Sequence, residues 1–236
     1  MPPLHSSRVR LLAALAIVAV AGCRSSRETN LGFHLDRNQP VLSTILIEGY
    51  PGRFVVSSAL PRTVVSSQYI ARHGIDRLST LDVLIGETIR REIDPNILDM
   101  GDQIDALIGL DLLGPVFSID YRRGTVSSSD GADLITPEMV MHRYSNQPAL
   151  PLTIEGSIYV GVVDTALPDT MVIPFGLIDG MERGRGTVQA EVGRVRFVDL
   201  DVLVADVSEL RVGNRVLAKF LITIDTRAKK IGLWEY

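Results

Sequence analysis

The 236-residue chain reads as a mainly β protein made of two tandem, homologous lobes with a few short helices. Three observations predict this. The sequence repeats itself once, each copy is written in hairpin grammar, and no helical pattern runs longer than two or three turns.

The repeat comes first because it sets the architecture. At a shift of 107, Ile45–Val65 lies on Leu152–Val172 without a gap, and 10 of the 21 pairs are identical. "VVSSALPRTVV" (55–65) faces "VVDTALPDTMV" (162–172). Upstream, "NQPVL" (38–42) matches "NQPAL" (146–150), and near each end "FSIDYRRGTV" (117–126) resembles "ITIDTRAKKI" (222–231). Three matches in one order indicate a duplicated unit of roughly 90 residues. The expected lobes are residues 40–126 and 148–236, joined by a linker at 127–147.

Within each copy, "STILIEG" and "LPLTIEG" stop at Glu-Gly before "RFVVSS" and "YVGVVD". Two apolar runs divided by a glycine turn predict a hairpin. "VRFVDLDVLVADV" has the β-branched content of strands buried on at least one face. "SSQYIARHG" has serine N-caps and Gly74 as C-cap, "GLDLLGP" allows a turn or two, and "PEMVMHRY" in the linker allows a short helix.

The N-terminus stands apart. Arg8 and Arg10 precede the 12-residue apolar run "LLAALAIVAVAG", which suits a signal-peptide core better than a membrane span. It ends in "VAGC", which resembles the lipobox of bacterial lipoproteins. That resemblance implies a signal peptide over 1–22, lipidation of Cys23, a flexible tether over 23–39 and a place in the bacterial cell envelope. Arg24 after the Cys, where Asp would favour inner-membrane retention, leans to the outer membrane. Cys23 is the only cysteine, so no disulfide is available.

Composition removes several functions. The net charge of −4 and the lack of any Lys/Arg run argue against nucleic acid. Four scattered His and one Cys give no metal-ligand spacing. "GRGTV" lacks the third glycine of a dinucleotide loop, and no Gly-x-Ser-x-Gly occurs. No cofactor is called for.

The repeated loop carries the chemistry. "VVDTA" (162–166), followed later by a hydrophobic-hydrophobic-Gly element and an "IDY"-like strand, resembles one lobe of the aspartic-protease fold at retropepsin size. The first copy's "ALIGLDLLGPVFSIDYRRGTV" (106–126) resembles that family's C-terminal half. The resemblance covers most of both lobes and implies that each is a β-barrel. It implies that Asp164 stands at a catalytic carboxylate and Ser57 at the position of the missing second one. Thr165 and Ser58 match the hydroxyls that brace the two loops across the lobe interface. Asp120 and Asp225 match a structural, strand-ending Asp.

The family's hydrolysis needs two carboxylates sharing one proton around a water, one acting as base and one as acid. A serine hydroxyl does not ionise at working pH and fills neither role. Ala59 and Ala166 replace the usual glycine, where positive φ would strain an alanine. Arg62 and Asp169 occupy equivalent turn positions and read as surface residues, able to pair with each other. Flap hairpins are expected around "LIGETIRRE" and "GRGTVQAEVGRVRF", neither with a tyrosine. The reading is therefore a lipid-anchored, degenerate aspartic-protease-like protein that holds a peptide or protein in its interlobe cleft. The alternative is an active aspartic endopeptidase using Asp164 through homodimerisation.

Overall fold

The computed structural model describes residues 29–76, 80–86, 89–129, 134–136 and 139–236. The signal-peptide and lipobox readings, including Cys23, lie outside the described residues.

The first lobe runs β1 (Thr29–Asp36), β2 (Gln39–Leu42), β3 (Ile45–Ile47), β4 (Phe54–Val56), β5 (Val64–Ser66), α1 (Ser67–His73), β6 (Leu81–Ile85), β7 (Ile89–Ile93), β8 (Asn96–Leu98), β9 (Ala106–Ile108), α2 (Leu110–Leu113), β10 (Val116–Asp120) and β11 (Thr125–Ser129). The second runs β12 (Val140–Arg143), β13 (Ala149–Ile154), β14 (Ser157–Val163), β15 (Met171–Pro174), β16 (Gly184–Val192), β17 (Val195–Ala205), β18 (Arg211–Val212), α3 (Asn214–Leu217), β19 (Phe220–Asp225) and β20 (Lys230–Glu235).

Both lobes share one inner arrangement. In the first, β9 lies between β4, to which it is parallel, and β5, to which it is antiparallel. In the second, β18 lies in the same way between β14 and β15. The second lobe closes as a barrel, β13-β14-β18-β15-β17-β16. The first is more open, with β3-β6-β7 as a separate small sheet.

A shared sheet of order β12-β20-β19-β10-β11-β1 joins the lobes. Its centre is the β10–β19 pair, where Ser118 faces Thr223, its own repeat equivalent at a shift of 105. Their hydroxyls hydrogen-bond at 2.6 Å in the interior. Equivalent residues that pair with each other lie on the local two-fold, so this contact marks the axis.

The shared sheet corrects two readings. Thr29–Asp36, expected as tether, is a strand paired with both β11 and β2. Leu31 and Phe33 are its buried anchors, an alternation hidden among polar neighbours. The stretch expected as linker contributes the end of β11 and all of β12, and Val140–Arg143 forms a strand on β20 where a helix was expected. The open edge of β20 offers those residues a ladder that outweighs a weak local helix preference. The start of that segment, residues 137–138, lies outside the described residues. Each lobe thus begins with a strand before its Asn-Gln-Pro, and the repeat is longer than its sequence identities.

The α1 caps are as the sequence predicts. Ser66 accepts the Gln68 N–H at 3.2 Å, and Gly74 adopts φ 63° at the C-cap. Asp120 and Asp225 end β10 and β19, accepting the backbone N–H of Arg123 and Ala228 at 3.0 and 2.8 Å.

Candidate functional site

The two repeated loops leave β4 and β14 and enter β5 and β15. The inner strands hold both in place. Ser57 N–H donates to the Ile108 carbonyl at 2.9 Å, and Asp164 N–H to the Val212 carbonyl at 3.0 Å. The glycines that follow are there for clearance. A Cβ on Gly109 would lie 2.6 Å from the Arg62 carbonyl carbon, and one on Gly213 would lie 2.3 Å from the Asp169 carbonyl oxygen. Only glycine lets each inner strand pass this close to its loop.

Four hydrogen bonds lock the loops together. Ser58 N–H donates to Thr165 Oγ1 at 3.0 Å, and Thr165 N–H donates to Ser58 Oγ at 3.2 Å. Ser58 Oγ donates to the Val163 carbonyl at 2.5 Å, and Thr165 Oγ1 to the Val56 carbonyl at 2.8 Å. Both residues are fully buried. The hydroxyls are doubly used in the interior, where unpaired polar atoms are costly. Ser58 and Thr165 are also repeat equivalents, so they place the axis at the loops as Ser118 and Thr223 place it in the shared sheet.

Ser57 and Asp164 precede these braced residues, in corresponding positions, and both are buried. Asp164 Oδ1 accepts the Ala166 N–H at 3.0 Å, and Oδ2 accepts Arg211 Nη1 at 3.1 Å. Burial pushes the Asp164 carboxyl above the ordinary carboxylate range. The Ala166 N–H, Arg211 and the Leu167 N–H pull it part of the way back. Arg211 thus partners the lone acid, while the residue at its place in the first copy, four before α2's Asp111, is Leu107. A polar residue in an otherwise apolar element was the available sequence signal, and it was missed.

Further polar residues appear that sequence reasoning did not find. Gln39 Nε2 crosses to the Ala166 carbonyl at 2.6 Å, and Gln147 Nε2 crosses the other way to the Ala59 carbonyl at 2.9 Å. The repeated Asn-Gln-Pro was their signal. Asn214 donates to the Thr165 carbonyl at 2.6 Å and accepts from the Tyr121 hydroxyl of the first lobe.

Two expectations change. Neither Ala59 nor Ala166 has positive φ, so alanine puts no backbone strain on either loop. Arg62 and Asp169 do not pair with each other. Arg62 lies 3.6 Å from Asp94, and Asp169 lies 3.6 Å from Arg185.

The flap candidates are hairpins, β6–β7 and β16–β17. The Gly86 N–H donates to the Thr44 carbonyl, and a Cβ on Gly86 would lie 4.0 Å from Leu31 of β1. A Cβ on Gly193, at the second turn, would lie 3.7 Å from Phe220 of β19. The Gly86 end of the first turn therefore lies by Thr44 and Leu31, and the second turn by Phe220 of the shared sheet. A hollow of about 870 Å³ beside the second turn, lined among others by Ile158, Phe220 and Trp234, includes no residue of either loop. Among the described residues no group of three or more His, Cys, Asp or Glu could hold a metal.

Comparison with solved structures places this architecture. The aspartic proteinase from Irpex lacteus superposes with a TM-score of 0.58 at 10% identity, over 88% of this chain and 97% of that one. The chain has an aspartic-protease-like, mainly β fold, and at this identity the likeness concerns the fold alone. No family model matches the sequence, and no curated protein matches it.

Proposed function

We propose that the chain is a catalytically degenerate aspartic-protease-like protein whose interlobe cleft binds a peptide or protein partner. It is carried on a bacterial membrane by a lipid on Cys23. The observation that carries this reading is the state of the lone acid. Asp164 is bound to Arg211, and its counterpart on the other loop is Ser57.

The chemistry argues against turnover. A water-activating dyad needs one carboxylate to take a proton and a second to give one. Ser57 supplies neither, and Arg211 supplies a fixed positive charge instead of a titrating neighbour. A second chain would have to bring its own Asp164 to the loop, yet that face is taken by the fused lobe through Ser58 and Thr165. The bracing between the two loops is kept while the acid pair is not, which favours binding over hydrolysis.

The test compares wild type with Asp164→Asn for peptidase activity from pH 3 to 7, with and without pepstatin, alongside capture from a peptide library. Peptide binding retained by the variant, with no turnover by either protein, supports the reading. Pepstatin-sensitive turnover that disappears in Asp164→Asn would overturn it in favour of an active endopeptidase. Metabolic labelling with a palmitate analogue, lost in Cys23→Ala, tests the anchor.

A further inference from the structure

We propose that Gln39 and Gln147 form a two-sided latch between the lobes, fixed at one end and releasable at the other, so that the interface loosens first at the Ser57–Leu60 loop. This concerns the lobe junction itself and holds whether or not the cleft takes a ligand.

The latch is built alike on both sides. Each glutamine precedes a proline, Pro40 or Pro148, which confines it to extended backbone and fixes where its side chain starts. Each amide then crosses to the third residue of the other lobe's loop, Gln39 to Ala166 and Gln147 to Ala59.

The two ends are held differently. Gln39 is buried, and its Oε1 accepts from Arg53 Nη2 at 2.9 Å. Arg53 is itself fixed, by Asp36 at 2.6 Å and by the Gln103 carbonyl at 2.8 Å. Gln39 therefore cannot swing without breaking a chain of bonds. Gln147 is only half-buried, and its buried Oε1 has no hydrogen-bond partner. The sequence shows why. At the repeat shifts, the positions of Arg53 and Asp36 are Val160 and Tyr144 in the second copy. Gln147 is held by its single bond to Ala59 and carries the cost of an unpaired acceptor. Swinging outward would hydrate that oxygen, so release on this side costs less.

Hydrogen exchange of the intact protein reads this directly at Ser57 and Asp164, whose N–H groups make equivalent bonds within their own lobes. The Ser57 amide is expected to exchange about fivefold or more faster than Asp164 in wild type. Gln147→Glu sets a carboxylate against the Ala59 carbonyl and is expected to speed exchange at Ser57 and Ser58 about tenfold, leaving Asp164 unchanged. Gln39→Ala is expected to speed Asp164 and Ala166 instead. Equal protection of Ser57 and Asp164 in wild type would overturn the proposal even if a variant fails to fold. A folded Gln147→Glu protein whose Ser57 and Ser58 exchange as in wild type would also overturn it.

Discussion

Ser58 and Thr165 each receive the other's backbone N–H on a side-chain oxygen, at 3.2 and 3.0 Å, and each hydroxyl then donates to a carbonyl of the opposite lobe. Removing either hydroxyl strips two buried bonds at once and leaves a buried N–H without an acceptor. Ser58→Ala or Thr165→Ala is expected to cost about 2–4 kcal/mol in urea unfolding. Because the two hydroxyls serve one network, the double variant should lose less than the sum of the singles. Additive losses would mean that the two residues act separately.

Asp164 sets a pH dependence. Its folded-state carboxyl is raised above the ordinary value, chiefly by burial. A raised acid binds its proton more tightly when folded, so its ionisation lowers stability as pH climbs from about 4 through the raised value. Asp164→Asn, which keeps one oxygen for the Ala166 N–H while its amide nitrogen takes the place of the oxygen facing Arg211, removes the buried charge and should be more stable than wild type at pH 7. The gap should close at pH 3. Thermal unfolding at both pH values checks this, and a variant less stable at pH 7 would refute it.

Arg211 works against that burial. Arg211→Leu, which installs the side chain found at Leu107 in the first copy, should raise the Asp164 carboxyl further. A carbon-detected NMR titration reads the shift. An unchanged titration would show that Arg211 does not stabilise the carboxylate in solution.

Ser57→Asp would place a second acid at a buried site beside the first loop's brace. Two nearby buried carboxylates do not both ionise readily, so one takes up a proton. The variant should be close to wild type at pH 3 and lose stability progressively as pH rises above about 4. Denaturation midpoints across pH 3–7 test this, and a pH-independent loss would point to simple steric crowding.

Gly109 and Gly213 give a steric prediction. Alanine at either meets backbone atoms at 2.6 or 2.3 Å, which cannot move aside as a side chain tip can. Each substitution should cost about 3 kcal/mol. Gly32→Ala, whose Cβ would sit 3.9 Å from Ser43 Oγ, is the control and should be nearly neutral by the same assay.

How much of this was legible depended on how each residue is held. The loop pair, its bracing hydroxyls and the strand-ending Asp120 and Asp225 were readable because a duplicated sequence places equivalents side by side. The α1 caps were readable because Ser66 and Gly74 act within a turn of their own helix. Asp164's partner was not, since Arg211 lies 47 residues away and meets it only where β18 runs beside β14. The edges of the lobes were misjudged for the same reason. Thr29–Asp36 and Val140–Arg143 have little local strand signal, and each becomes a strand because a neighbour's open edge supplies its hydrogen bonds.

By itself the sequence determined the two-lobe β plan, the axis implied by its repeat, and the pairing of Ser57 with Asp164 at equivalent positions of the two copies. These follow from periodicity and identity along the chain. The tertiary structure alone decided that Arg211 holds Asp164, that alanine sits in both loops with ordinary backbone angles, and that Gln39 is fixed where Gln147 is not. Each depends on which polar groups meet in the interior, and a buried group's partner is chosen by the fold, not by its neighbours in sequence.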